Sequence, residues 1–544
     1  MGRHQEHLSE LLMTHAQEHP ERIAVGTSDL QTVISYRQLD ILVRSAMARL
    51  SQLGLRAGNT VALVSDNSAE FVLGLLAIIA LGARVAPLNP SLTTSELTSR
   101  LSELAANAVL APKQVNISDA SYSAAKSITQ WVISVSGSGS ASKVQIADGK
   151  QQICEPDLTA ETSIPAKVEE VALLMFTAGT TSAPKLVPLT HRNLISSIRD
   201  IVSVYDLCTQ DATLIVMPLF HGHGLIAGLL ATLASGGSAY LPSTGVFSAH
   251  VFWPNVARLG VTWYTAVPTI HRILVNRADQ EYPSSSPIPL RFIRSCSAPL
   301  DEELAAATSA RFRTPVISAY GMTEASHQVS SNPLPIHGSN NMSSVGLPTG
   351  VEVRIVAQDG RDAAPESEGE IWVRGATVTP GYLNNPDANR ASFVDGWFRS
   401  GDLGRRDSDG YLFVTGRIKE MINRGGEKIS PGDIDAVLLS NPKVFDAASF
   451  GEPDQIYGEN VQAAVVLRPG VETTEVELRE YCRSKLAAFE VPERVHIVAD
   501  FPRTAKDSID RRALAEEFST SNSASSGSRA REPVRNDGGG SGQH

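Results

Sequence analysis

Apolar positions along this chain recur in two rhythms that alternate. Helical spacing from Tyr36 to Leu53 is followed by a mainly apolar run from Thr60 to Val64, which predicts an amphipathic helix and then a buried strand. Ala69 to Gly82 predicts a second helix, and Val85 to Leu88 a strand end. Such βα alternation from Leu8 to Leu110 implies a mainly parallel sheet covered by helices. It resumes with a strand at Val171 to Met175 and a helix at Leu194 to Val202. The segments Thr213–Met217, Leu225–Leu233, Val261–Val267 and Arg291–Ser295 extend it, so a second sheet-containing unit is expected. Between the two, Ser134 to Lys150 is rich in Ser and Gly and reads as a surface loop.

The rhythm changes at Gly346. Short strands at Val351–Val356, Gly369–Val373 and Tyr411–Thr415, separated by Gly, Asp and Asn turns, predict a small β-subdomain. It changes again near Gly416, and Glu420 to Phe518 reads as a separate small α+β domain with Val461–Leu467 its clearest strand. Beyond Thr520 the Ser/Gly/Arg/Asp tail has no apolar period and is expected to be disordered. The expected fold class is therefore α/β. A large N-terminal domain of two βα-layered sheets plus a β-subdomain spans 1–417, a small mobile cap 418–518, and a tail 519–544.

Composition narrows the function classes. A chain of 544 residues is too long for one core. The 42% hydrophobic and 19% charged fractions are ordinary for a globular protein. A net charge of −11 without a Lys/Arg block argues against nucleic acid as the main partner, so anionic ligands must be held by local groups. The four cysteines, Cys154, Cys208, Cys296 and Cys482, have neither metal-ligand nor disulfide spacing and suit a reducing compartment. The polar N-terminus lacks a signal-peptide core. The longest apolar run, Phe71 to Ala83, is too short to span a bilayer and reads as a buried helix. With no peroxisomal address at Ser541–His544, a cytoplasmic location is expected.

Four stretches carry candidate chemistry. Phe176 to Lys185 lies between a strand and a helix. Its small residues suit an anion-binding nest, with Thr hydroxyls and Lys185 as further donors, yet it is no Walker A loop. Tyr320-Gly321-Met322-Thr323-Glu324 follows a buried strand signal and offers a hydroxyl to phosphate and a carboxylate to Mg²⁺. Asp402, in a Gly-flanked turn, is an acceptor-only group suited to ribose hydroxyls, and Arg417 suits phosphate or ribose. His221 and His223 lack a third metal ligand nearby and read better as pocket lining than as a metal site. Taken singly, each of these is equally an ordinary turn or surface group.

Together and in this order, these motifs resemble the adenylate-forming superfamily of acyl-CoA synthetases, adenylation domains and luciferases, from about residue 8 to residue 515. Within it, Val187–Thr190, Phe220–Leu225, Arg291–Ala298 and Met322–Pro335 look most like oxalate–CoA ligases of plants and fungi. The resemblance implies an AMP-forming acid–CoA ligase that uses ATP, Mg²⁺ and coenzyme A on a small carboxylic acid. It implies that Thr177, Gly179, Thr180, Thr181 and Lys185 hold pyrophosphate, that Thr323 touches the α-phosphate and that Glu324 holds the metal. Tyr320, Ser297, Ala298 and Pro299 would flank the nucleotide, and Asp402 and Arg417 would grip ribose. It further implies His221, His223 and His327 in the substrate pocket, Lys419 as hinge, and Gly425 and Gly426 along the coenzyme A tunnel.

The chain departs from the pattern at Ala178, which replaces a usual Ser, at Leu186, which replaces a usual Gly, and at Pro502 to Ile509. There Ser508 stands where the resemblance implies the catalytic lysine, and Asp507 where it implies Gly. One such donor is worth roughly 10²–10³ in rate. Lys506 lies two residues upstream, displaced by about 7 Å if the segment is extended, and is the candidate replacement. A relative that binds adenylate with little or no turnover, and an amide-forming ligase, are the alternatives.

Overall fold

The computed structural model describes residues 7–115, 128–148, 167–177, 184–283, 287–503 and 509–526. The chain divides into two compact units, Met1–Ile418 and Lys419–His544.

Among the described residues the first unit holds three sheets. In one, Ala108–Pro112, Thr60–Val64, Arg84–Leu88 and Val171–Phe176 run side by side in parallel. The antiparallel strand Leu186–Thr190 closes one edge. Thr60–Val64 is buried along its whole length, as a strand covered on both faces must be, which explains its mainly apolar run. The helix Ala69–Ala80 packs on this sheet. Its N-terminus is capped by the Ser68 hydroxyl, and Phe71, Leu73, Leu75, Ile78 and Ile79 are buried around its circumference. The helix Tyr36–Gln52 starts at a reciprocal capping box of Ser35 and Gln38 and buries one stripe only.

The second sheet has a parallel centre made of Val316–Tyr320, Phe292–Ser295, Trp263–Ala266, Ala212–Leu214, Ser238–Leu241 and Ile23–Thr27, with antiparallel strands at both edges. Its strands deliver candidate residues at their C-terminal ends. Ser297 follows Phe292–Ser295, and Thr323 and Glu324 follow Val316–Tyr320. The third sheet is the expected β-subdomain, in which Trp397–Arg406 pairs with Leu412–Arg417 and sets Asp402 opposite Arg417.

Two expectations are corrected. The stretch read as a loop from Ser134 is a hairpin in its described part: Thr129–Ser136 pairs antiparallel with Lys143–Asp148. Half-buried Val144 and buried Ile146 alternate with exposed Lys143 and Gln145, and the Ile146 carbonyl accepts from buried Arg49, so a Ser/Gly-rich tip masked a strand. The C-terminal helix Arg511–Ser526 runs past the expected start of the tail at 519; the remainder of that tail lies outside the described residues.

The second unit is an antiparallel sheet, Glu427–Ile429, Ile422–Arg424, Gly458–Leu467 and Val444–Asp454, with Arg494–Val498 added in parallel. Gly425 and Gly426 form its two-residue hairpin turn with φ of 61° and 95°. Both central positions of that turn need φ > 0, which accounts for the glycines on backbone grounds alone.

Candidate active site

The base of the expected phosphate loop is closed by two hydrogen bonds. Thr177 N–H donates to the Lys185 carbonyl at 2.9 Å, and Lys185 N–H donates to Thr177 Oγ1 at 3.0 Å. Gly179, Thr180 and Thr181 lie outside the described residues, as do Lys506, Asp507 and Ser508. Lys185 Nζ stands 4.2 Å from the centre of the Tyr382 ring. The Tyr382 hydroxyl in turn donates to Glu324 Oε1 at 2.7 Å. One aromatic residue thus joins the loop lysine to the candidate metal carboxylate. Burial, then the Glu324 charge, holds the Tyr382 hydroxyl well above its ordinary pKa, so it stays a donor. Glu324 is fixed from its main chain as well, because Thr379 N–H donates to its carbonyl at 2.8 Å.

A second group gathers Tyr320, Asp402 and Arg417. The Tyr320 hydroxyl donates to Asp402 Oδ2, and Arg417 Nε pairs with Asp402 Oδ1 at 2.9 Å. Asp402 is buried and its own N–H is held by Ser400 Oγ at 3.0 Å. A buried carboxylate held by a hydroxyl and a guanidinium is a fixed acceptor, the kind of group that a ribose diol requires.

The third group is polar and deeply buried. Arg294, the one charged side chain in the strand Phe292–Ser295, has 0% exposure. Its Nε donates to Tyr205 Oη at 2.9 Å, Nη1 to Thr265 Oγ1 at 3.1 Å and Nη2 to Gln328 Oε1 at 2.9 Å. His327 Nε2 is 3.4 Å from Nη1. Thr265 Oγ1 also bonds His223 Nε2 at 2.6 Å, and His223 Nδ1 bonds Ser297 Oγ at 3.0 Å. The rings of His223 and His327 stack with centroids 4.9 Å apart. Burial, then the neighbouring His327 and Arg294, holds His223 well below its ordinary pKa, so it is neutral. Ser297 reaches this group with φ of 74°, a conformation uncommon for a residue with a Cβ and concentrated at functional sites.

His223 and His327, expected in one pocket, are therefore brought together. His221 is half-buried with its ring against Phe220, and none of the Arg294 bonds above reaches it. Ala298 and Pro299 continue the turn after Ser297. Lys419 is exposed at the start of the second unit. Arg294 and Tyr382 received no role from sequence reasoning. The signal for Arg294 was present: a charge inside a central strand is rarely there for packing. Tyr382 had no such signal, because its partners are distant in sequence.

These three groups hold the described residues that the resemblance assigns to phosphate and metal, to ribose and to the acid. The model of the AMP-binding enzyme family matches residues 12–383, and that of the AMP-binding enzyme C-terminal domain matches residues 433–507; the chain belongs to this family. More particularly, it is similar to the oxalate–CoA ligase of Arabidopsis thaliana, at 43% identity over 94% of this chain and 98% of that one. It is similar also to the oxalate–CoA ligase of Saccharomyces cerevisiae, at 36% identity over 92% and 95%. Among solved structures it resembles the O-succinylbenzoate coenzyme A synthetase of Bacillus subtilis in complex with ATP and magnesium. The TM-score is 0.79 at 29% identity, over 93% and 98% of the two chains. The expected class, an AMP-forming acid–CoA ligase using ATP, Mg²⁺ and coenzyme A, is met. No helix among the described residues is long and apolar enough to cross a membrane.

Proposed function

We propose that this enzyme activates a small dicarboxylic acid, of the oxalate class, and transfers it to coenzyme A. The observation that carries the choice of acid is Arg294, a fully buried guanidinium held by Tyr205, Thr265, Gln328, His327 and Cys296, none of which is a carboxylate. Breaking up a buried charge pair typically costs several kcal/mol, so an uncompensated buried cation is a standing demand for an anion nearby. Ser297, His223 and His327 relay that charge as hydrogen-bond donors toward a second carboxylate. The relatives named for oxalate and O-succinylbenzoate act on acids with two carboxyl groups, which agrees with the reading.

In the first half-reaction a carboxylate oxygen of the acid attacks the α-phosphorus of ATP, and pyrophosphate leaves. In the second the coenzyme A thiol attacks the acyl carbonyl and AMP leaves. No enzyme nucleophile enters; the protein positions the reactants and stabilises charge. Asp402 and Arg417 hold the ribose, with Tyr320 fixing Asp402. Thr177, Gly179, Thr180, Thr181 and Lys185 cradle the leaving pyrophosphate, Thr323 contacts the α-phosphate, and Ser297, Ala298 and Pro299 flank the base. Glu324 fits a magnesium ligand: with Oε1 held by Tyr382, its other oxygen remains to coordinate, and Mg²⁺ favours one or two carboxylates with phosphate oxygens. When bound, Mg²⁺ offsets the phosphate charge. Lys506 takes the role of the lysine that Ser508 replaces, Lys419 is the hinge, and Gly425 and Gly426 let the pantetheine arm pass.

The test is AMP release with ATP, Mg²⁺ and coenzyme A over matched mono- and dicarboxylic acids. Dicarboxylates are expected to be preferred by about 10²-fold in kcat/KM, a preference that Ser297→Ala lowers. Equal use of both classes overturns the choice of acid. ATP binding without release of pyrophosphate from any acid favours instead a non-turnover adenylate binder, the reading that Asp507 and Ser508 motivate. Pyrophosphate exchange should fall in Lys506→Ala and rise in Ser508→Lys; an unchanged Lys506→Ala removes Lys506 from the mechanism.

A further inference from the structure

Outside the adenylate site, the short helix His15–Glu18 and the next residue, His19, gather two imidazoles and a carboxylate. One ligand atom from each of His15, Glu18 and His19 lies within 4.8 Å of the others. The i, i+4 spacing sets both histidines on one helical face. Their rings stand nearly parallel, 18° apart, with centroids at 5.9 Å.

His15 is built into the body. Its Nε2 bonds the Ala234 carbonyl at 3.0 Å. A carbonyl only accepts, so Nε2 carries the hydrogen and the neutral ring keeps its lone pair on Nδ1. That Nδ1 is buried and makes no hydrogen bond, yet it lies 3.4 Å from Glu18 Oε2. A lone pair facing a carboxylate oxygen is repulsive unless a proton or a metal ion lies between them. Tyr36 packs edge-on against this ring with centroids 5.6 Å apart, and the absence of a side chain at Gly236 leaves the ring its room, since a Cβ there would come within 2.9 Å of Nδ1. A histidine whose distal N–H is donated to a backbone carbonyl is how a metal-ligating imidazole is ordinarily oriented.

We propose that His15 Nδ1, the Glu18 carboxylate and His19 bind a divalent transition cation of the zinc class, with water completing the shell. Two nitrogens and one oxygen suit zinc better than Mg²⁺ or Ca²⁺, which take oxygen ligands. The bound ion would fasten the N-terminal helices to the turn that follows Ala231–Ala234. If Nδ1 is protonated beforehand, that proton leaves to solvent as the metal–nitrogen bond forms.

The experiment is zinc titration of the tag-free, full-length protein by calorimetry, with thermal melting alongside. One site per chain and a rise in Tm with zinc are expected, since the ion binds only the folded state. His15→Ala and His19→Ala should each weaken binding by at least about tenfold. His250→Ala should leave it unchanged: His250 pairs with Glu281 at 3.3 Å but is absent from any three-ligand cluster among the described residues. Because His19 is exposed, its variant tests the site without disturbing the core. The proposal is overturned if zinc binding survives both substitutions. It is equally overturned if zinc leaves the melting of the unaltered protein unmoved, which reduces His15 and Glu18 to an ion pair.

Discussion

Tyr382 touches two charges of the candidate site at once. Its ring faces the Lys185 ammonium and its hydroxyl holds Glu324 Oε1 at 2.7 Å. Tyr382→Phe keeps the ring and removes only the second contact. A hydrogen bond to a charged group contributes about 1.5–3 kcal/mol, so the variant should need roughly ten- to a hundredfold more Mg²⁺ for half-maximal pyrophosphate exchange. Measured at saturating Mg²⁺, its rate should approach that of the unaltered enzyme. A loss of rate that Mg²⁺ cannot restore would place Tyr382 in folding instead. Arg294 is the complementary case, where charge rather than contact decides. Arg294→Lys should retain part of the dicarboxylate preference and Arg294→Met should lose it, read as a rise in KM for the dicarboxylate with little change for a monocarboxylate.

At the scale of elements, the turn after Val316–Tyr320 shows how tightly the site is folded. A Cβ at Gly321 would lie 1.5 Å from the His327 carbonyl oxygen, because the chain doubles back on itself between them. His327 turns that corner with φ of 77°. Gly321→Ala is therefore expected to lower Tm by many degrees and abolish adenylate formation. Gly360→Ala is the control: its φ is 81° but nothing lies within 4 Å of the added carbon. It should cost only the backbone strain, about 1–2 kcal/mol by denaturant melting. Gly224 is a second close approach: an added Cβ would lie 2.4 Å from the Pro218 carbonyl oxygen, and the residue sits in the first of the widened helical turns of His223–Leu230. Long apolar periods made most elements legible. Thr60–Val64 and Val351–Val356 have the boundaries their patterns imply, because buried strands must be apolar wherever they are covered. Lys143–Asp148 was not legible, since two inward residues beside a Ser/Gly turn are too weak a local signal.

Over the whole molecule, buried titratable groups set the response to pH. Burial raises Asp200 from its ordinary 3.8 to about 6. Between those values the folded chain binds the proton that the unfolded chain has lost, so this group's contribution to stability falls as pH rises through the window. Asp200→Asn should thus raise Tm at about pH 7.5, and the gain should vanish near pH 4. Burial, then the neighbouring His7, lowers His191 from 6.5 to about 3. Here the unfolded chain binds the proton first, so stability is full above 6.5 and is lost as pH falls toward 3. His191→Phe should flatten that acid limb of the melting profile. A flat limb in the unaltered protein would remove His191 as its cause.

Local pattern by itself determined most of the alternation of helices and strands, because that depends on neighbours along the chain, and the class of enzyme was legible through the resemblance that its ordered motifs carry. Only the tertiary structure decided that Arg294 lies buried against Tyr205, Thr265 and Gln328, that Tyr382 joins Lys185 to Glu324, and that His223 stacks on His327. These contacts join segments scores of residues apart. Their energies depend on burial and on angstrom-scale approach, and neither quantity is written in the order of residues along one strand or helix.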